Sequence, residues 1–267
     1  MGNEMKKQFR IWRQILKMEV SKAMIYKLSF YSNLIGFALL HFFTIVFIEL
    51  VFQLGNIESI VGWEKHQVMF LIAVLYLNAH FNNTFMQGIF IMAEEIVTGS
   101  LDPKLVKPMN DRVKTHFLDF EVWNLVGFVP MIALFIYLFS TYSFSFNLTR
   151  FVVAIIIFCF GIVTMYSYYL MLTCIGFWTE KIDHIFRVVD SGWEFGQYPK
   201  NLFPTHLKFI LTYVIPIFPL AYFPTAFFLG KSGFEIVFES FFIMLFFLIL
   251  SSLIWKKGLS VYSSASS

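Results

Sequence analysis

Apolar residues fall along this chain in long uninterrupted runs, broken by short polar stretches. Runs over 30–52, 68–91, 118–140, 151–178 and 236–255 each approach or exceed the roughly 18 residues that mark a spanning helix. The pattern predicts an all-α, polytopic integral membrane protein.

Residues 179–232 admit two readings. Hydropathy alone selects 207–229 as a fifth span and leaves 180–204 as a cytoplasmic amphipathic segment. That span would hold Pro216, Pro219 and Pro224, each of which removes a backbone donor. Non-helical backbone survives at membrane depth only where protein or a water-filled cavity covers it. The other reading makes 182–198 a polar fifth span and 204–229 a re-entrant element dipping from the outer face. Both give six transmembrane helices. Charge bias favours the first, because the second exports Lys200 and Lys208, whereas proline content favours the second.

Residues 3–27 read as an N-terminal interfacial amphipathic helix. Phe9, Trp12, Ile15, Leu16 and Val20 recur at helical spacing, while Lys6, Lys7, Arg10, Arg13 and Lys17 fill the other faces. Such a helix lies along an anionic leaflet. The charged N-terminus lacks the short apolar core and small-residue site of a cleavable signal, so it reads as retained. With it inside, the basic arm, the 93–117 loop and Lys256/Lys257 are cytoplasmic, leaving only Lys65, Arg150 and Lys231 clearly outside. Both termini are therefore expected in the cytosol.

Composition agrees with the pattern. Hydrophobic residues make up 58% and charged residues 14%, against roughly 25% charged in soluble domains. The net charge of +3 is too small to suggest a nucleic-acid partner. Cys159 and Cys174 share one apolar run, too far apart along a helix to pair. The histidines are scattered without metal-ligand spacing, and no nucleophile–base arrangement or carboxylate pair suits catalysis. The chain is not expected to be an enzyme.

The most structured polar insert is EEIVTGSLDPKLVKPMN, residues 94–110. Gly99 supplies a permissive turn at the end of the second run. Asp102 before Pro103 is a helix-start pair, and Pro108 forces Lys107 toward extended backbone. Residues 102–107 thus read as a very short capped helix suited to docking a soluble partner, or as an ordinary interhelical loop. Glu94 and Glu95 sit beside it, placed to pair with nearby cations or a partner.

Two polar groups fall within the runs. Asp183, Arg187, Asp190 and Glu194 recur at i, i+4, i+7 and i+11, a charged stripe on one helical face. It reads either as a lining of a translocation path or permease interface, or as the wet face of an interfacial helix. Arg187 lies within reach of Asp183 and Asp190. In the second run His80, Asn83, Thr84 and Gln87 share a face, flanked by Asn78 and Asn82. Interhelical hydrogen bonding and a polar route are both open there.

The stretch IVTGSLDPKLVKPMN resembles the intracellular loop of ABC-2 family exporter permeases, in the subgroup encoded apart from its ATPase. The pattern falls on Ile96, Gly99, Leu101, Asp102, Leu105, Val106, Lys107 and Pro108. EFGQYPKNLFPTHLKFILTYVIPIFPLAYFPTAFFLG and WKKGLSVYSSASS resemble later segments of the same subgroup. The resemblance implies six spans, an interfacial N-terminal helix, a cytoplasmic coupling helix within 93–117 and a re-entrant extracellular element at 200–232, in one domain over 1–267. It favours the reading in which 182–198 crosses. It implies coupling through Glu94, Glu95, Gly99, Leu101, Asp102, Lys107 and Pro108. It implies as partners two ABC ATPase subunits, a second permease chain (identical or paralogous) and membrane lipid, in a bacterial plasma membrane. The chain has no G-x-x-x-x-G-K-[ST] phosphate loop, so no cofactor is expected on it; ATP and Mg²⁺ would bind the separate ATPase. A gradient-driven carrier or channel using the 183–194 stripe is the alternative, although no internal repeat supports it.

Overall fold

The computed structural model describes Lys17, Ser21 and residues 27–55, 62–102, 122–179 and 183–262. The rest of the expected interfacial helix, the loop from 103 to 121 with Lys107 and Pro108, and the last five residues lie outside the described residues.

The described residues form helices and no strand. Apart from shorter turns, they are α1 (Lys27–Leu54), α2 (Lys65–Phe85), α3 (Gln87–Val97), α4 (Phe128–Thr141), α5 (Leu148–Cys174), α6 (Asp183–Gly192), α7 (Tyr222–Phe228) and α8 (Glu235–Val261). Four helical stretches are long and apolar enough to cross a membrane: Lys27–Leu54, Lys65–Phe85, Leu148–Phe177 and Glu235–Val261.

α2 is the central helix. Val68 to Leu75 are buried without interruption, enclosed by α1, α4, α7 and the 3₁₀ turn Trp193–Gln197. α5 and α8 pack side by side along their length. Large apolar side chains such as Phe43 and Phe47 on α1, and Phe238 and Phe242 on α8, stay exposed. An apolar coat of that extent suits lipid and not water. Aromatic pairs bind the interior: Phe70 of α2 stacks on Phe228 of α7 at 5.1 Å and meets Phe135 of α4 edge-on at 5.6 Å. Hydroxyls within the helices bond their own backbone, as Thr164 to Phe160 and Ser167 to Val163, both at 2.8 Å.

Three expected elements differ in detail. The second run is not one helix: it breaks at Met86, whose backbone leaves helical values at φ −113° and ψ 7°, and α3 begins at Gln87. At the break the Asn83 carbonyl accepts the Asn124 side-chain amide at 2.9 Å, a side chain inserted from another element. Among its described residues, the third run forms one turn at Val122–Leu125 and then the helix Phe128–Thr141. Gly127 lies in the turn before it, and Pro130 fits only the first turn, where its missing donor is harmless. The polar segment 182–198 gives α6 and then the tighter turn Trp193–Gln197, together about 25 Å long.

The proline-rich stretch turns back on itself. A short helix Thr205–Phe209 widens into a π turn, Ile210–Val214, that stops where Pro216 forces Ile215 into extended backbone. The carbonyl of Leu211 accepts the N–H groups of both Ile217 and Phe218, at 3.0 and 3.1 Å. Ile217, Phe218, Leu220 and Ala221 are fully buried, so the irregular tip is sealed in protein. It reaches Gly161, near the middle of α5, where an added Cβ would lie 2.7 Å from the Pro219 carbonyl oxygen. Both ends of the excursion return to one level. Lys231 Nζ donates to the Gly62 carbonyl at 3.1 Å, and the Asn201 amide lies beside Gly62 as well.

Candidate functional site

Two polar regions carry the residues singled out from the sequence. The first is the end of α3. Ser100 N–H donates to the Glu95 carbonyl at 2.9 Å and Gly99 N–H to that of Ile96 at 3.3 Å. Gly99 sits at φ +70°, completing a Schellman turn that a residue with a Cβ would strain. The turn drives Leu101 into a cluster of Met92, Ile96, Leu170, Cys174 and Trp255, where it is 1% exposed. Its N–H donates to the Tyr262 hydroxyl oxygen at 2.9 Å. Asp102, half-buried, is the last described residue before the gap. Burial pushes the Tyr262 hydroxyl above its usual range, and the Asp102 carboxylate adds to that shift. Glu94 is exposed and Glu95 half-buried on the same turn. The end of α3 is therefore fixed to the ends of α5 and α8.

The second region lies along α2. The face of His80, Asn83, Thr84 and Gln87 is divided: His80 and Thr84 point inward, Asn83 is exposed, and Gln87 sits half-buried past the break. His80 Nε2 lies 3.2 Å from Nε2 of His41 on α1, and both rings are buried. Phe37 meets the His80 ring edge-on at 4.7 Å. The sequence reading missed His41, a lone histidine in an apolar run whose only signal is a second histidine on the facing helix. Asn82 Nδ2 donates to Asn78 Oδ1 at 2.6 Å, which leaves the buried Asn82 Oδ1 without a partner.

The charged stripe reaches this region through Glu194. Phe186 and Val189 of α6 are buried, with Phe186 against Phe90 and Tyr169 at 5.2 and 6.1 Å, and Arg187 is exposed. Arg187 donates to His184 Nδ1 at 2.9 Å. The side chains of Asp183 and Asp190 lie outside the described residues. Past α6 the 3₁₀ turn carries Trp193, whose indole N–H donates to the Tyr169 hydroxyl at 3.0 Å, and Glu194. Glu194, Asn82 and Asn83 line one cavity of about 400 Å³ between α2, α3, α5 and this turn, walled by Tyr76, Phe90, Tyr169 and Trp193. The aromatic wall was not foreseen, because its members are far apart in the chain.

Among the described residues, no group of three or more His, Cys, Asp or Glu could hold a metal ion. The geometry is that of a cavity lined by aromatic rings, amides and one carboxylate, together with a helix end packed into an apolar cluster. No curated protein and no solved structure matches the chain. A family model described as "ABC-2 family transporter protein" matches residues 14–266. With this match over nearly the whole chain, and four helices able to span a bilayer, the chain belongs to the ABC-2 transporter family as a membrane-embedded permease.

Proposed function

We propose that the chain is the membrane subunit of an ATP-driven exporter, working as one of two permease chains with two ATPase subunits. The carrying observation is the seating of Leu101 among the ends of α3, α5 and α8. A packed cluster transmits a displacement, so a push on residues 94–108 moves three helices as one body. The Tyr262 end is then cytosolic, in a bacterial plasma membrane with both termini inside. The ATPases carry ATP and Mg²⁺, and Asp102, Lys107 and Pro108 belong to the surface they press.

Six crossings fit this arrangement. The return of Asn201 and Lys231 to the level of Gly62 supports α6 with its 3₁₀ turn as a polar fifth crossing, and 200–232 as a re-entrant extracellular element. The cavity beside Glu194 and Asn83 then lies on the translocation path, with the exposed Glu194 carboxylate on the polar crossing facing the cargo.

The test is reconstitution of the permease with its candidate ATPase in proteoliposomes. ATP hydrolysis stimulated by the permease, and reduced in Asp102→Ala with membrane insertion unchanged, is the expected result. Transport that persists without any ATPase and follows an ion gradient would replace this reading with a gradient-driven carrier using the 183–194 stripe.

A further inference from the structure

The cavity between α2, α3, α5 and the 193–197 turn has a chemical character that narrows its ligand. Its walls include four aromatic rings, of Tyr76, Phe90, Tyr169 and Trp193. Phe90 and Tyr169 pack edge-to-face at 5.2 Å, so their orientation is fixed. The Trp193 N–H is taken up by Tyr169, leaving the indole to present its π surface. Such faces attract cations, more strongly when the site is shielded from water.

The polar groups point the same way. Glu194 is the one charged residue among the lining residues, and among the described residues it forms no ion pair. Asn82 is 4% exposed and its side-chain amide is tied to Asn78 at 2.6 Å, so it closes the wall of the cavity. The remaining polar lining is neutral amide and hydroxyl, without charge preference. An aromatic box with a carboxylate fits a group that is cationic and carries an apolar body.

We propose that this cavity binds a protonated amine with an apolar or aromatic body, and that such amines are the permease's substrate class. Glu194 takes the ammonium, and the rings hold the body. The substrate assignment rests on the exporter reading, whereas the binding site stands without it.

The test is equilibrium dialysis of the detergent-solubilised full chain against three probes of one shape, corrected for empty micelles: 4-phenylbutylamine (protonated at neutral pH), 4-phenylbutanol and 4-phenylbutyrate. Saturable amine binding is expected, with the alcohol and the carboxylate about tenfold weaker or more, the scale of a hydrogen bond to a charged group. Glu194→Gln lowers amine affinity by about the same factor and leaves the alcohol unchanged, and Glu194→Asp retains part of the preference. Equal binding of the three probes, unchanged amine affinity in E194Q, or no saturable binding overturns the proposal. ATP-dependent export is measured separately. Amine binding without ATP-driven export sinks only the exporter reading, and export without amine binding sinks only the site.

Discussion

The backbone N–H of Leu101 donates to the hydroxyl oxygen of Tyr262 at 2.9 Å, joining residues 161 positions apart in the chain. The contact fastens the polar loop to the last helix beside a closed apolar cluster. Tyr262→Phe removes the acceptor and keeps the ring, so it costs about 1 kcal/mol, with a fall in melting temperature. Leu101→Ala leaves a hole in the cluster and costs about 2–4 kcal/mol. If the cluster transmits force, both variants lower permease-stimulated ATP hydrolysis at temperatures where they remain folded. Full stimulation in both would remove Leu101 from the coupling path.

His41 and His80 form the one side-chain pair described between buried imidazoles. Replacing either by leucine strands the other ring's Nε2 and costs about 1–3 kcal/mol. Replacing both removes donor and acceptor together, so the double variant is less destabilised than the sum of the single ones. A double-mutant cycle on thermal unfolding measures the coupling, expected at about 1 kcal/mol or more. Strict additivity would mean that the pair contributes no net interaction between α1 and α2.

What the sequence made legible was what depends on local composition. The long apolar runs announced their helices by length, and Gly99 announced a turn because only glycine adopts its φ of +70° without strain. The break at Met86 was hidden: no proline or glycine occupies it, and it depends on Asn124 arriving from elsewhere in the fold. The stripe was readable as a period, yet past Gly192 the backbone tightens to 3₁₀, so Glu194 departs from the phase of a continuous α-helix. The prolines at 216, 219 and 224 signalled broken backbone, and only packing against α5 located the tip.

Topology gives a direct check. In a Cys159→Ala, Cys174→Ala background, single cysteines at Asn201 and Lys231 should both react with an impermeant maleimide added outside intact cells. Residues 200 and 231 then flank an element that enters and leaves by one face. Labelling at Lys231 from outside, with Asn201 reacting only after the membrane is opened, would restore 207–229 as a crossing.

Lys200 carries a pH signature. Its Nζ lies 3.7 Å from Glu239 and 5.0 Å from the centroid of the Phe223 ring. Burial holds its ammonium below the ordinary lysine value, outweighing the pull of Glu239. The unfolded chain therefore binds more protons than the folded one between the lowered value and 10.5, so stability rises with pH across that window. Comparing melting temperatures of the wild type and Lys200→Met from about pH 7 to 10 isolates the effect, because other groups cancel in the difference. The wild type should gain on the variant as pH climbs, and a flat difference would place Lys200 in contact with water.

Gly161 and Pro219 set the depth of the re-entrant tip. An ideal Cβ on Gly161 would fall 2.7 Å from the Pro219 carbonyl oxygen and 3.2 Å from the Leu220 Cα, both backbone atoms that cannot rotate away. Gly161→Ala therefore forces the tip and α5 apart, at about 1–3 kcal/mol for overpacking. The tip also bears on Gly192 and Gly196 through Ile217, so the displacement reaches the turn that carries Trp193 and Glu194. Gly161→Ala should lower the melting temperature and weaken probe binding at the Glu194 cavity, although Gly161 is not among the residues lining it. Gly36→Ala on α1, where an added Cβ meets nothing within 4 Å, is the matched control: it should leave probe binding unchanged and hold or raise the melting temperature through its better helix propensity. Equal behaviour of the two variants would show that the tip does not rest on α5 in the working protein.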